Sequence, residues 1–269
     1  MKQLVSNIRH YFRVYSLLIK LSLRSVFVYR VNTLVMGLAP IVWMATMLVF
    51  IGIIFSKVKQ LGGWTLWEVV FLTGVHELIF LLSWTTIVTN LKDLGYIVKT
   101  GRLDQELLRP LNPKFLVSFK TLDFANIGGL VNTILIFSFS IGKVSDKIQP
   151  GRIGGFLLLL AFSYLICYFI YFLFGSLSLF FVSASSFLNW LFEMTDFDRY
   201  PAEIYPLTMK IFLTFFLPLL FLAYIPTAYL LGKISAIYIL EGGILMGFFY
   251  LITRILWQLG LKRYQSASS

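Results

Sequence analysis

Hydrophobic and polar positions in this chain come in long blocks rather than with the short period of a strand. Residues 4–20 place Leu4, Val5, Ile8, Tyr11, Phe12, Tyr15, Leu18 and Ile19 at helical spacing, with Lys2, Arg9, His10, Arg13 and Lys20 mostly opposite them. That pattern predicts an amphipathic helix lying in a membrane interface. A calmodulin-type target or a nucleic-acid arm has the same pattern, but the position just before an apolar run favours the membrane surface. No apolar core with a small-residue cleavage site comes early enough to read as a cleavable signal.

Apolar runs of about 20 residues, at a rise of about 1.5 Å each, suffice to cross the hydrocarbon of a bilayer. The first predicted span is Val31 to Phe55, with Pro40 expected to kink it. After a loop with Lys57, Lys59, Gly62 and Gly63, the second is Leu66 to Thr89, carrying Glu68 near its start and His76 and Glu77 in its middle. The third is Leu122 to Ile141, followed by a loop with Lys143, Asp146, Lys147 and Pro150. The fourth, Gly154 to Val182, reads as one long tilted span of 29 residues. The segment Ser183 to Ser186 is then expected to turn the chain in the cytoplasm, and Phe187 to Phe197 to rise as a short fifth span to the outer face, where Glu193, Asp196 and Asp198 stand near its end.

Leu207 to Leu231 is broken by Pro218 and Pro226. Two prolines so close together predict a re-entrant hairpin whose freed carbonyls are buried in protein. The alternative is a kinked full span, with Ser183 to Pro206 cytoplasmic; either version gives six spans in total. The last is Ile237 to Trp257, ending in a basic tail over 259–269.

One long polar segment interrupts these blocks. Residues 90–115 hold Lys92, Lys99, Arg102, Arg109 and Lys114 with Asp93, Asp104 and Glu106, and a charged connection of this kind is expected in water. Composition agrees with the apolar blocks: 58% of the residues are hydrophobic and 13% charged, too apolar for one soluble core of 269 residues. The 27 Phe, 14 Tyr and 6 Trp suit aromatic belts at membrane interfaces. The net charge of +11 is then a topology signal rather than a sign of nucleic acid. Lys and Arg number six in residues 1–30, six from Lys92 to Lys120 and three from Arg254 onward, so those segments are predicted to be cytoplasmic, with both termini inside. The expected organisation is an interfacial helix at 1–30, a transmembrane unit at 31–258 and a cytoplasmic tail.

Four motifs in order carry a resemblance. They are G-R-L-D-Q-E-L-L-R-P (Gly101 to Pro110) with Asn112-Pro113, then R-Y-P-A-E-I-Y-P (Arg199 to Pro206). Pro218 with Tyr224-x-Pro226 and Leu231-Gly232 follows, and the ending is W-Q-L-G-L-K-R-Y-Q-S-A-S-S. From about Lys92 to Ser269 the chain resembles bacterial type-2 ATP-binding-cassette (ABC) exporter permeases, and within them a subfamily in which two related permeases share a separate ATPase. The resemblance implies an all-α fold of six transmembrane helices with an N-terminal interfacial helix, a cytoplasmic coupling helix between the second and third spans, and a re-entrant hairpin at about 207–232. Tyr200, Pro201, Pro206, Pro218, Tyr224 and Pro226 would belong to that hairpin region. It places Gly101, Arg102, Leu103, Asp104, Leu107, Leu108, Arg109 and Pro110 at or beside the surface where the ATPase docks. Leu103, Leu107 and Leu108 would form an apolar face, Asp104 would support the start of a short helix, and Arg102 and Arg109 would pair with acids of the partner. The alternative is a merely solvated charged loop. The implied partners are ATPase subunits, a second permease (a related chain or another copy) and the lipid bilayer of a bacterial inner membrane.

No phosphate-binding G-x-x-x-x-G-K-[ST] run occurs, so ATP and Mg are expected in the partner and no cofactor on this chain. With His10 and His76 the only histidines, no metal or catalytic motif is visible, and the lone Cys167 allows no intrachain disulfide. A membrane hydrolase assembled from residues distant in sequence is the remaining enzymatic alternative. His76 and Glu77 are candidate pathway residues, because an ionisable group in a span usually faces the bundle interior or water. As neighbours they point about 100° apart and are not expected to share one cavity. Glu77 is expected to contact substrate, to pair with a basic residue of a partner permease, or to be a structural carboxyl. The rival function is an ion-gradient-driven secondary transporter or channel with these two residues as a proton relay.

Overall fold

A computed structural model gives the structure of the chain. It describes residues 2–181 and 185–264, and within them the side chains of all but residues 2–8, 32, 127, 185 and 186. The expected contributions of Lys2, Leu4, Val5 and Ile8, the turn at Ser183 and Ala184, and the tail beyond Tyr264 lie outside the described residues.

The chain is an all-α, multi-pass membrane protein, and among the described residues no strand forms. Helix α1 (Lys2–Val28) continues past the periodic stretch 4–20, since no Gly or Pro interrupts the chain before Gly37, and only Tyr29 separates it from α2 (Arg30–Lys57). α2 continues through Pro40 unbroken. Much of its surface is exposed apolar side chain, including Leu34, Leu38, Val42, Val49 and Ile53. A patch of that extent suits lipid rather than water.

Helix α3 (Leu66–Ser83) starts at a cap in which the Glu68 carboxylate accepts from the Thr65 backbone N–H (2.7 Å) and hydroxyl (3.0 Å). It runs on through a π-turn (Trp84–Val88) into α4 (Thr89–Lys92) and α5 (Leu94–Lys99), well past the expected end at Thr89. The first part of the polar segment is therefore helical rather than a loop: Leu91 and Leu94 are fully buried while Asp93 and Lys99 are exposed. The reason is amphipathicity: the charges of 92–99 lie on one side of a helix whose other side packs on α9.

Short helices α6 (Arg102–Leu107) and α7 (Pro113–Phe119) follow. The third long helix, α8 (Ile127–Val144), begins five residues later than the expected Leu122. The delay is fixed by polar contacts: Asp123 N–H donates to Thr85 O (2.9 Å), and the Trp84 indole and Ala125 N–H donate to the Asp123 carboxylate. α8 packs against both α3 and α2. A side chain at Gly128 would run into the Gly37 backbone, so this crossing depends on a bare backbone.

α9 (Ile153–Ser176) is one long helix, as read from the sequence. α10 (Ser185–Met194) and a 3₁₀ segment (Thr195–Arg199) follow it. After α11 (Leu207–Ile211), a second π-turn (Phe212–Phe216) and α12 (Tyr224–Leu230), the last helix, α13 (Ile237–Arg263), takes in the first basic residues of the expected tail. Among the described residues, five helical stretches are long and apolar enough to cross a membrane: 33–57, 66–99, 128–147, 150–179 and 237–263. The expected fifth of six spans is not among them. Its residues form α10 and the 3₁₀ segment, which carry the chain from Phe192, beside Trp84 and Lys92, towards Glu203, beside Trp64.

Two ends of the bundle are thereby defined. One gathers the Leu61–Glu68 turn with Lys147, Glu203 and Lys233; the other gathers α6 and α7 with α1 and Tyr264.

Candidate functional site

The expected docking segment is built on an anchor and a projecting tip. Gly101 adopts φ +70°, a left-handed conformation that glycine tolerates, and turns the chain from α5 into α6. Leu103 is 0% exposed, and its burial contributes about 2 kcal/mol to seating α6. The buried Glu106 carboxylate accepts from Lys120 Nζ at 2.6 Å and lies 3.5 Å from Arg109 Nε. Arg102 sits over the Tyr96 ring at 5.2 Å. Asp104 lies by Tyr264, whose hydroxyl is pushed up by burial and by the Asp104 charge. Lys114 in α7 is pulled down by burial and by Arg254. Beyond these contacts Leu107, Leu108, Arg109 and Pro110 are exposed, Leu108 at 86%.

Leu103, Leu107 and Leu108 thus do not form the single apolar face expected of them. Leu103 is spent inward, while Leu107 and Leu108, a turn further on, lie past the packed part of the segment. Arg109 already has an acid in its own chain. Between α5, α6 and α7 lies a groove of about 630 Å³ edged by Asp93, Arg102, Gln105 and Lys120.

The second assembly is inside the bundle. His76 Nδ1 lies 2.5 Å from Asp198 Oδ1, and Arg199 Nη2 lies 3.5 Å from Glu77 Oε1. Arg199 Nε also lies 2.9 Å from Asp196 Oδ1. His76, Glu77, Asp198 and Arg199 are all buried, Arg199 at 4% exposure and Glu77 at 5%. The neighbours His76 and Glu77, expected to diverge, both reach the 3₁₀ segment because it crosses α3 and offers Asp198 and Arg199 to the two directions. Asp198 is fully buried. Beside it, His76 Nε2, Ser83 Oγ and Asp198 Oδ2 border a cavity of about 20 Å³, room for one water molecule.

The two-proline segment doubles back. Glu203, just before it, accepts from the Trp64 indole (3.0 Å) and the Tyr224 hydroxyl (2.8 Å). Lys233, just after it, donates to Gly63 O (3.1 Å) and lies 3.2 Å from Glu68. Both ends therefore meet the same Leu61–Glu68 turn, which a kinked full span would not do. At the tip Pro218 is buried, and the Phe221 carbonyl accepts from Ser163 Oγ at 2.6 Å. Pro226 breaks nothing: it stands in the first turn of α12, where its missing N–H has no helical partner to lose. The preceding motif is fastened residue by residue. Tyr200 reaches the Met47 sulfur at 4.0 Å, Pro201 is buried and Pro206 exposed, and Tyr205 donates to Phe197 O at 2.8 Å.

Sequence reasoning overlooked Asp198, Arg199 and Glu203 as partners, although the last two stand in a motif it singled out. It also overlooked Asn90, whose amide exchanges hydrogen bonds with Thr121 and ties α4 to the chain entering α8. The Thr65-x-x-Glu68 spacing was a capping signal in plain view. Among the described residues no group of His, Cys, Asp or Glu side chains converges to hold a metal ion.

A family model described as "ABC-2 family transporter protein" matches residues 41–268, which takes in the later part of α2, the other four long apolar helices, residues 101–110 and the buried ion cluster. No curated protein and no solved structure matches the chain. With the match spanning most of its length, the chain belongs to the ABC-2 family of transporters, as a membrane permease.

Proposed function

We propose that this chain is one permease of an ATP-driven exporter, paired with a second permease and moved by a separate ATPase that docks on residues 101–110. The observation that supports this most directly is the division of α6 into a buried root, Leu103 and Glu106, and a bare apolar tip, Leu107 and Leu108. A solvated loop has no reason to be anchored so firmly, and an anchored element transmits force where a loop does not. Closure of two ATPase subunits around ATP would draw two such tips together, and α5, continuous with the α3 stretch, would carry the movement to the ion cluster and the hairpin.

The hairpin lies on the outward side in this reading, re-entrant from the Leu61–Glu68 end. That places residues 1–30, 92–120 and the C-terminal segment, with fifteen of the 23 basic residues, in the cytoplasm of a bacterial inner membrane. A related chain or a second copy completes the pathway.

The test is co-purification with the ATPase of a neighbouring reading frame, followed by ATP hydrolysis in sealed vesicles. Leu108→Asp is expected to weaken association at least tenfold while leaving the thermal midpoint unchanged. Reversal of Arg102 and Arg109 to Glu is expected to weaken it less, since Arg109 is partly engaged by Glu106. Unchanged association and turnover in both variants would refute docking here, and transport driven by a proton gradient without ATP would favour a secondary transporter.

A further inference from the structure

Helix α1 carries two opposed faces that the transport reading does not use. Arg9, Arg13, Lys20 and Arg24 fall within an arc of roughly 60° when successive residues are turned by about 100°. All four are exposed, and among the described residues none has an ion-pair partner. No acidic residue occurs in the sequence before Glu68, so nothing nearby in the chain neutralises the stripe. Exposed apolar side chains flank it, Phe12 and Leu23 on one side and Leu17 and Leu21 on the other. Cations bordered by apolar residues on both sides suit a helix lying at headgroup depth, with its charges among phosphates and its flanks in the acyl boundary.

The opposite arc grips the docking segment. The Tyr11 hydroxyl accepts from Asn112 N–H (3.0 Å), and its ring meets Phe115 edge-on at 5.1 Å. Tyr15 packs edge-on against Phe115 and Phe119 at 6.4 and 6.3 Å. Ser22 Oγ accepts from Leu122 N–H at 3.1 Å. The clasped stretch, Asn112 to Leu122, contains Lys120, which holds Glu106 and with it the root of α6.

We propose that α1 is a receptor for anionic phospholipid that controls coupling. Acidic headgroups occupy the Arg9–Arg13–Lys20–Arg24 stripe, and a helix held down in this way steadies, through Tyr11, Tyr15 and Ser22, the arm on which α6 is mounted. The lipid-binding half stands on α1 alone, while the control of coupling rests on the docking reading above.

The test uses the complete permease–ATPase complex in bilayers of phosphatidylcholine, with and without phosphatidylglycerol. Lipid selectivity is read from a fluorescent phosphatidylglycerol probe and coupling from ATP hydrolysis. The parent complex is expected to prefer the anionic probe and to hydrolyse ATP faster in its presence. Replacing all four basic residues by Gln is expected to reduce the preference by up to about fivefold per charge and to abolish the stimulation. Replacing the three arginines by Lys should retain both, which separates charge from misfolding. Tyr11→Phe combined with Ser22→Ala should keep the lipid preference and lose the stimulation. An unaltered preference in the four-Gln variant, or equal preference for the neutral probe in the parent, would overturn the proposal. If no ATPase associates in either lipid while the probe preference persists and falls with the stripe, the docking reading fails and lipid capture by α1 stands.

Discussion

Replacing Arg199 by Met should cost this protein about 3–5 kcal/mol of stability, the range for stranding one member of a buried ion pair. The size follows from what is left behind. The guanidinium is 4% exposed and 3.5 Å from Glu77, itself 5% exposed, so removing it leaves a carboxylate in the bundle without its cation. Asp196 contributes little to the loss. It is 41% exposed at the side chain and, once released, can return to solvent, which puts its share in the surface range of about 0–1 kcal/mol. The pairing therefore predicts rescue: Glu77→Gln together with Arg199→Met should recover most of what the single Arg199 change loses, because neither charge is then stranded. Asp196→Asn with Arg199→Met should recover almost none. Equilibrium unfolding of the detergent-solubilised permease, run as a double-mutant cycle, measures both. The reasoning is refuted if Arg199→Met shifts stability by less than about 0.5 kcal/mol, the ordinary scatter of a surface substitution. It is refuted equally if the double change is merely the sum of the singles.

Two further predictions concern the other contacts that set the bundle. Glu68 is buried between Lys147 and Lys233 at 3.2 Å each, so either Lys→Met change alone should be tolerated within about 1 kcal/mol, whereas both together should cost about 3 kcal/mol or more in the same unfolding assay. Gly128→Val should force α8 away from α2 and lower stability by about 1–3 kcal/mol, and Gly142→Val, whose surroundings are open, should not; thermal midpoints in one detergent compare them.

Much of the architecture was legible from hydropathy, because a membrane span must satisfy its backbone internally and carry a long apolar run. α2, α9 and α13 show this directly. What hydropathy could not show is where a helix hides polarity. Lys92 and Asp93 sit on a helix whose Leu91 and Leu94 are core, and a count of charges reads that stretch as a loop. Pro226 was read as a breaker because sequence gives no helix start at which a proline is harmless. The docking candidates were found by motif, but which of them point outward depended on the seating of Leu103, a packing fact. The partners of His76 and Glu77 were out of reach, since some 120 residues separate them from Asp198 and Arg199 and only the climb of the 3₁₀ segment brings them together.

The π-turn at Trp84–Val88 lies between the ion cluster on α3 and the exposed tip of α6 that follows α5. A wide turn carries one residue more than the regular ladder has room for, and here the Thr89 hydroxyl donates to Trp84 O at 2.6 Å, five residues back, which helps hold it open. That surplus residue sets the azimuth of everything beyond it: absorbed into regular α-helix, it would swing α4 and α5 by about 100° about their axis. The rod joining the two regions is thus a shaft with a keyed joint, and torque, not only push and pull, can pass along it.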